Sequence, residues 1–351
     1  MRLFLDRPIC RLLAVWSALL ALSLPVYAGE TLRVLAWPGY ADSDLVKKFE
    51  QRFGVQVEVS FVSSDEVLRN KIRSNQGGDF DVFAANTAEM EYYLTQKLII
   101  PLQLSAIPNT VHQLPRFRNL QAIPGISQQG QIFAIPYTYS EMGLIYDRKQ
   151  FKKAPTSIAA MWDPKFKGRV LAFNTSSHNF SIASLLLGGS PFQIKDQQFN
   201  KVAEHLIALR RNVLTFYSLP EESVRLFRKH SAALLFANYG SQQLKQLRDA
   251  GADVGYVIPR EGALAWLDCW AITRGAKNVH LAESWINYML EADVSGELTR
   301  RQGLSNTIEA DQLINSSDKI IWLKPVENAE RRAALWSHII SGDPPGKFIT
   351  P

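Results

Sequence analysis

TLRVLAWPGY (residues 31–40), ADSDLVKKFEQRFG (41–54), VQVEVSF (55–61) and SSDEVLRNKI (63–72) follow one another with a hydrophobic period that switches from two to 3.6 and back again. Thr31 to Trp37 reads as a strand that Pro38-Gly39 ends in a turn. Asp42 or Ser43 can cap a helix in which Leu45, Val46, Phe49 and Phe53 recur on one face until Gly54 stops it. Val55, Val57, Val59 and Phe61 share one side of a second strand. Ser63 with Glu66 has capping-box spacing, and Val67, Leu68 and Ile72 carry the apolar stripe of the next helix. Asp79 to Ala85 is a third strand, and Thr87 can cap a third helix with Met90, Leu94 and Leu98. The order is βαβαβα, the pattern of an open, mostly parallel sheet covered by helices, whose ligands bind past the carboxyl ends of the strands. That rule brings Trp37, Tyr40, Asn86 and Thr87 to one edge. Trp37 also suits a core position, and Thr87 also suits a bare helix cap.

Downstream, Ile132 to Pro136 and Gly143 to Tyr146 read as strands, joined by Tyr137-Thr138-Tyr139-Ser140-Glu141. So polar and aromatic a link between apolar runs fits a hinge that lines a cleft. Arg169 to Phe173 and Ala232 to Phe236 are strands ending in the loops that hold Thr175, His178, Asn238 and Tyr239, which repeats α/β logic in a second unit. At 351 residues the chain exceeds the size at which one core usually divides. The expected division is 29–136 plus 259–305 for a first lobe and 137–258 plus 306–351 for a second, with the ligand in the cleft between them.

The first 28 residues are read separately. Arg2, Arg7 and Arg11 precede an apolar run from Leu12, and Val26-Tyr27-Ala28 supplies small or modest side chains where a signal peptidase cuts. Residues 1–28 are therefore expected to be a cleaved signal peptide that delivers the chain to the periplasm. Its removal lowers the net charge from +6 to +4, takes Cys10 away, and leaves Cys269 without an intrachain disulfide partner. A charge this small, with no run of bases, gives no reason to expect nucleic acid as a partner.

No metal-ligand, P-loop, CxxC or nucleophile-elbow pattern occurs, so neither an enzyme, a cofactor nor a metal is expected. What stands out is a set of aromatics and one carboxylate at predicted strand ends: Trp37, Tyr40, Tyr139, Tyr239, Trp266 and Asp268. Asp268 interrupts the apolar run Ala265 to Ile272 and must meet donors or a cation, because a buried unpaired carboxylate is costly. A structural partner satisfies it as well as a ligand does. Ring faces hold alkyl chains and ammonium groups, so the set as a whole suits a small cationic or zwitterionic ligand.

From residue 31 to 345 the chain resembles the periplasmic polyamine-binding proteins of ABC transporters, the spermidine/putrescine type. The resemblance rests on Trp37-Pro38-Gly39-Tyr40, the strand Asp79 to Ala85, Ile135-Pro136-Tyr137 and Trp266-Leu267-Asp268. It implies a two-lobed α/β periplasmic binding protein that closes on an amine and hands it to an inner-membrane ABC permease, as a monomer. An alternative role for such a chain is a periplasmic amine sensor that docks on a membrane cyclic-di-GMP receptor controlling biofilm formation. The resemblance makes Trp37 and Tyr40 wall residues, Asn86 an amine contact, Trp266 a stacking surface for methylenes, and Asp268 the ammonium partner. It fails elsewhere: Thr175 and His178 stand where the family has acids after a second-lobe strand, Asn238 falls near a family tryptophan, and Leu304 replaces a late family tyrosine. Glu141 or Asp65 would have to compensate, or the ligand is an amino acid or a related amine.

Overall fold

The computed structural model describes residues 30–310 and 318–347. The expected signal peptide and the last four residues lie outside the described residues. Two mixed sheets carry the fold. The larger begins with β1 (Thr31–Ala36), β2 (Gln56–Phe61) and β3 (Val82–Asn86), which run parallel, with helix α1 (Ser43–Phe53) between β1 and β2 and helix α2 (Asp65–Arg73) between β2 and β3. This is the βαβα pattern of the sequence. Leu45, Val46 and Phe49 are the buried stripe of α1, which ends where Gly54 takes a left-handed conformation and its N–H bonds the Glu50 carbonyl. Helix α2 starts one residue later than the capping-box spacing suggests. Ser64 is its cap, accepting from the Val67 N–H, so Asp65 is its first helical residue and Glu66 has no capping role there.

Helix α3 (Thr87–Thr95) follows β3, and the chain later re-enters the same sheet as β4 (Ala134–Glu141). It leaves for the second sheet through β5 (Leu144–Asp147), β6 (Val170–Phe173), β7 (Thr215–Tyr217), β8 (Leu234–Phe236) and β9 (Val254–Val257), ordered β9-β5-β8-β6-β7. Here β6, β7 and β8 form the parallel part, and β5 and β9 are joined to it through antiparallel pairing of β5. The chain then returns as β10 (Ala263–Ile272), and β11 (Ser305–Asn306) and β12 (Ile320–Trp322) complete the larger sheet, ordered β11-β4-β10-β3-β1-β2 with β12 beside the start of β10. All ten residues of β10 are buried, because β3 and β4 flank it on both sides. A strand in that position reads as a continuous apolar run, as this one does apart from Asp268.

The first passage between the sheets is tight: Tyr256 donates to the Glu141 carbonyl and accepts from the Gly143 N–H, and a Cβ on Gly143 would fall 2.5 Å from the Tyr256 ring. Nearby, a Cβ on Gly240 would fall 2.3 Å from the Glu141 carbonyl oxygen, so glycine lets a helix of the smaller unit start directly against the crossing strand. By hydrogen bonding, Tyr137 to Glu141 and Ile320 to Trp322 belong to the larger sheet. The last helix, α10 (Ala329–Ser341), packs instead on the smaller unit, where the fully buried Arg332 binds Glu327, the carbonyls of Ser177 and Pro191, and the Ser181 hydroxyl.

Asp81 joins β1 to β3 and to the loop after β10. Fully buried, it accepts from the Arg33 N–H at 2.8 Å, the Arg33 guanidinium at 2.7 and 3.0 Å, and the Lys277 N–H at 2.7 Å. Its replacement leaves a partly buried guanidinium with the Gly78 carbonyl alone, and two backbone donors unmet. Asp81→Ala is expected to cost about 3 to 5 kcal/mol of stability, read from urea unfolding; a loss under about 1 kcal/mol would show that the network is dispensable.

Candidate functional site

Side chains alternate along β10, so Trp266, Asp268 and Trp270 share one face of the sheet. Asp268 is the direct cross-strand partner of Asn86, the last residue of β3. In the turn after β1, the Tyr40 hydroxyl reaches this point and donates to Asp268 Oδ2 at 2.6 Å. Tyr40 in turn stands edge-on to Tyr137 at 5.6 Å and to Trp270 at 6.5 Å. Burial raises the Asp268 carboxyl to about 7, against the opposing pull of the Tyr40 hydrogen bond. Burial first, and Asp268 next, push the Tyr40 hydroxyl far up, so it remains a donor. The Trp37 indole N–H is occupied by the Ala84 carbonyl, which leaves its half-buried ring as a surface for contact.

Asn86 does not stand as an acceptor for an amine. Its Oδ1 caps α3 by accepting from the N–H groups of Ala88 and Glu89, which leaves Nδ2, a donor, pointing to Asp65 Oδ1 at 3.3 Å. An ammonium offers only donors and cannot bond to that nitrogen. Thr87 is not the cap either; it is the first residue of α3 and is buried.

Tyr139 is also displaced from its expected role. It is fully buried on the opposite face of β4, where its hydroxyl meets Arg116 and its ring meets Phe117 and Trp322. The cause is the register. Thr138 pairs with Asp268 and Pro136 with Cys269, so Tyr137 is an extra residue in a bulge, and its ring lies 5.5 Å from that of Trp270. Pro136 was the available signal, since a proline inside a central strand marks a bulge or an edge. Glu141 lies two residues beyond Tyr139 and so shares its face, whereas Asp65 approaches Asp268, whose charge acts on it. The Asp65 side chain is exposed, and the Asn86 amide that donates to it belongs to the cross-strand partner of Asp268.

The opposing wall comes from the loops after β6 and β8. The Asn238 carbonyl accepts the Trp266 indole N–H at 2.9 Å, a bond that spans the two units. The Tyr217 hydroxyl holds this loop by donating to the Phe236 carbonyl and accepting from the Asn238 N–H, while Gln243 Oε1 accepts from the Tyr239 N–H. Phe173, unforeseen from sequence, stacks on His178 at 6.1 Å and takes Tyr239 edge-on at 5.8 Å. Burial lowers His178 to about 4, with Asn238 opposing and Arg332 adding to the shift, so the ring is neutral at pH 7. Thr175 occupies the cap position of α4 (Ser176–Leu186) without a side-chain cap bond. Tyr239 is raised to about 12, by burial first and then by Asp65, Asp268 and Glu221, the last an acid of the smaller unit, with Asn238 opposing. Among the described residues, no three His, Cys, Asp or Glu side chains are arranged to hold a metal ion.

Residues 44–310 match the model of the family described as bacterial extracellular solute-binding protein. The putrescine-binding periplasmic protein PotF of Escherichia coli is 27% identical over 312 residues, which cover 84% of this chain and 83% of PotF. The spermidine/putrescine-binding periplasmic protein 1 of Haemophilus influenzae is 26% identical over 290 residues, covering 82% of this chain and 78% of its own. In three dimensions, the TpPotD lipoprotein of Treponema pallidum superposes with a TM-score of 0.77 at 19% identity, over 88% of this chain and 99% of that one. This likeness establishes the two-lobed binding-protein fold.

Because Asp268 is raised from an ordinary 3.8 to about 7, the native state without ligand keeps a proton that the unfolded chain gives up. Its contribution to stability is whole below pH 3.8 and is lost as pH rises to about 7. Asp268→Asn keeps an acceptor for Tyr40 and removes that loss. Without ligand, the variant is expected to melt above the unsubstituted protein at about pH 8, with the gap closing towards about pH 4. Lower melting at the alkaline end would make Asp268 a structural anion.

Proposed function

The chain belongs to the bacterial extracellular solute-binding protein family, and we propose that it captures a small amine, polyamine or amino-acid-like, for an inner-membrane ABC permease. One observation carries the amine: a buried carboxylate, Asp268, whose hydrogen-bond donor among the described residues is the Tyr40 hydroxyl, set between aromatic walls. A carboxylate so placed lacks the donors that would settle its charge, and an ammonium supplies them. The putrescine- and spermidine-binding relatives support the same class.

In this reading the ligand-binding set is Trp37, Tyr40, Thr175, His178, Asn238, Tyr239, Trp266 and Asp268, with Tyr137 and Phe173 added. Asn86 serves by orienting its neighbours. The lobes follow the expected division, 29–136 plus 259–305 and 137–258 plus 306–351, except that strand pairing joins 137–141, Asn306 and 320–322 to the larger unit. Cleavage after Ala28 releases a monomer into the periplasm. Trp266 and Asp268 anchor the amine on the larger unit. The Thr175 and Tyr239 loops cover it, and the ligand favours closure by the additional contacts it makes there. An amino-acid-like ligand is favoured by one feature: the covering wall presents a neutral His178 and the amino end of α4, which suits a carboxylate better than a second ammonium.

The test is a thermal-shift screen of protein refolded to strip carried-over ligand, against diamines, polyamines and amino acids. Stabilisation by at least one amine is expected, and Asp268→Ala should weaken it by about tenfold or more. Undiminished affinity in that variant would refute the ammonium contact. Since binding a cation needs ionised Asp268, affinity should also rise as pH is raised through about 7. A flat titration curve across that interval would count against Asp268 as the partner.

A further inference from the structure

Asp65 has a position that its place in the helix does not explain. As the first residue of α2 it favours the helix dipole, a role that any first-turn acid fills, as Glu66 beside it does. Yet the charges that act on Asp65 are Glu89, Asp268 and Arg69. Arg69 is committed elsewhere: its guanidinium grips Glu89 with two bonds, of 2.6 and 3.1 Å. What Asp65 receives is the Asn86 amide at 3.3 Å, and Asn86 is the cross-strand partner of Asp268. One asparagine side chain therefore stands between two carboxylates on the same edge of the larger sheet. Across from them stands Tyr239 of the smaller unit, within the field of both.

Two unpartnered groups border this place. The Tyr93 hydroxyl, on a fully buried side chain, has no hydrogen-bond partner and feels Glu89 and Asp65. The Ser140 hydroxyl, also fully buried and unpartnered, lies on the Trp266 and Asp268 face of the sheet beside Gly240, at the seam between the units. Two neighbouring carboxylates repel each other, and although the exposed Asp65 is screened by solvent while Asp268 is buried, a cation between them relieves that repulsion. The wall opposite is of another kind, with Thr175, a neutral His178 and Asn238 on the smaller unit.

We propose that Asp65 is the second anionic contact of the ligand site, so that Asp65 and Asp268 together hold the ligand's positive charge on the larger unit while Thr175, His178 and Asn238 of the smaller unit contribute neutral contacts. Glu221 of the smaller unit acts on Tyr239 and is not among the charges that act on Asp65. This rests on the amine reading of the site and specifies its substrate class: an amine with its cationic charge gathered at one end, or a short diamine. A long polyamine needs a second anionic point across the cleft. Electrostatic capture then precedes closure, and closure adds ring and neutral polar contacts.

The experiment is isothermal titration of the refolded protein with putrescine, and with spermidine in parallel, for the unsubstituted chain, Asp65→Asn, Asp65→Ser and Asp268→Asn. Both Asp65 substitutions keep Ser64 as the helix cap and replace an exposed side chain with one that suits a helix start. The expected result is a loss of putrescine affinity of about tenfold or more in each Asp65 variant, with melting of the ligand-free protein unchanged, and tighter binding of putrescine than of spermidine by the unsubstituted chain. Affinity equal to the unsubstituted chain in both Asp65 variants, alongside a loss in Asp268→Asn, would overturn the role of Asp65 and leave the amine reading standing. No binding of either amine by the unsubstituted chain would overturn the two-carboxylate site and confine the amine reading to amino-acid-like ligands, which the thermal-shift screen tests separately.

Discussion

A carboxylate in the middle of a fully buried strand is the constraint around which this molecule is arranged. Asp268 lies on β10, between β3 and β4, where every other side chain of the strand is apolar. Keeping it there unpaired costs several kcal/mol. The Tyr40 hydroxyl recovers a part of this, and its reach sets the path of the turn after β1. Tyr137, Trp270 and Tyr40 then pack around one another, so the aromatic wall and the anion are parts of one construction.

The same strand ties the two units together. Its Trp266 donates across to the Asn238 carbonyl, and Asn238 is in turn positioned by Tyr217 from within the smaller sheet. Glycines at 143 and 240 allow the crossing strand and the first turn of a helix to lie against each other without an intervening side chain. The walls are thus held by short connections to rigid elements, and in the proposed site the larger unit offers Asp268 with its rings while the smaller offers Phe173, Tyr239, Thr175, His178 and Asn238.

Much of this was legible in the residues. The βαβα order and the strand ends near Trp37 and Tyr239 were written in periodicity and turn chemistry, and the buried acid at 268 stood out against its apolar flanks. Three assignments turned on geometry instead. Asn86 stands where a site residue should, but a helix starts at the next residue and claims its acceptor oxygen, which no spacing rule reveals. Tyr139 and Tyr137 exchange roles because one extra residue in β4 reverses which side of the sheet each faces, with Pro136 as the only hint. Asp65 is a helix-start acid by every local criterion, and its approach to Asp268 follows from how α2 is set beside the end of β3.

The sequence by itself determined the class of fold, the two-unit organisation and the chemistry of the anchor, because these depend on patterns a few residues long and on the cost of burying a charge. Which aromatics share the Asp268 face, which amide is already spent, and how Asp65 comes to receive the Asn86 amide were decided by the tertiary structure. Strand register and helix placement are set by packing over the whole sheet, and a shift of one residue moves a side chain from one face to the other.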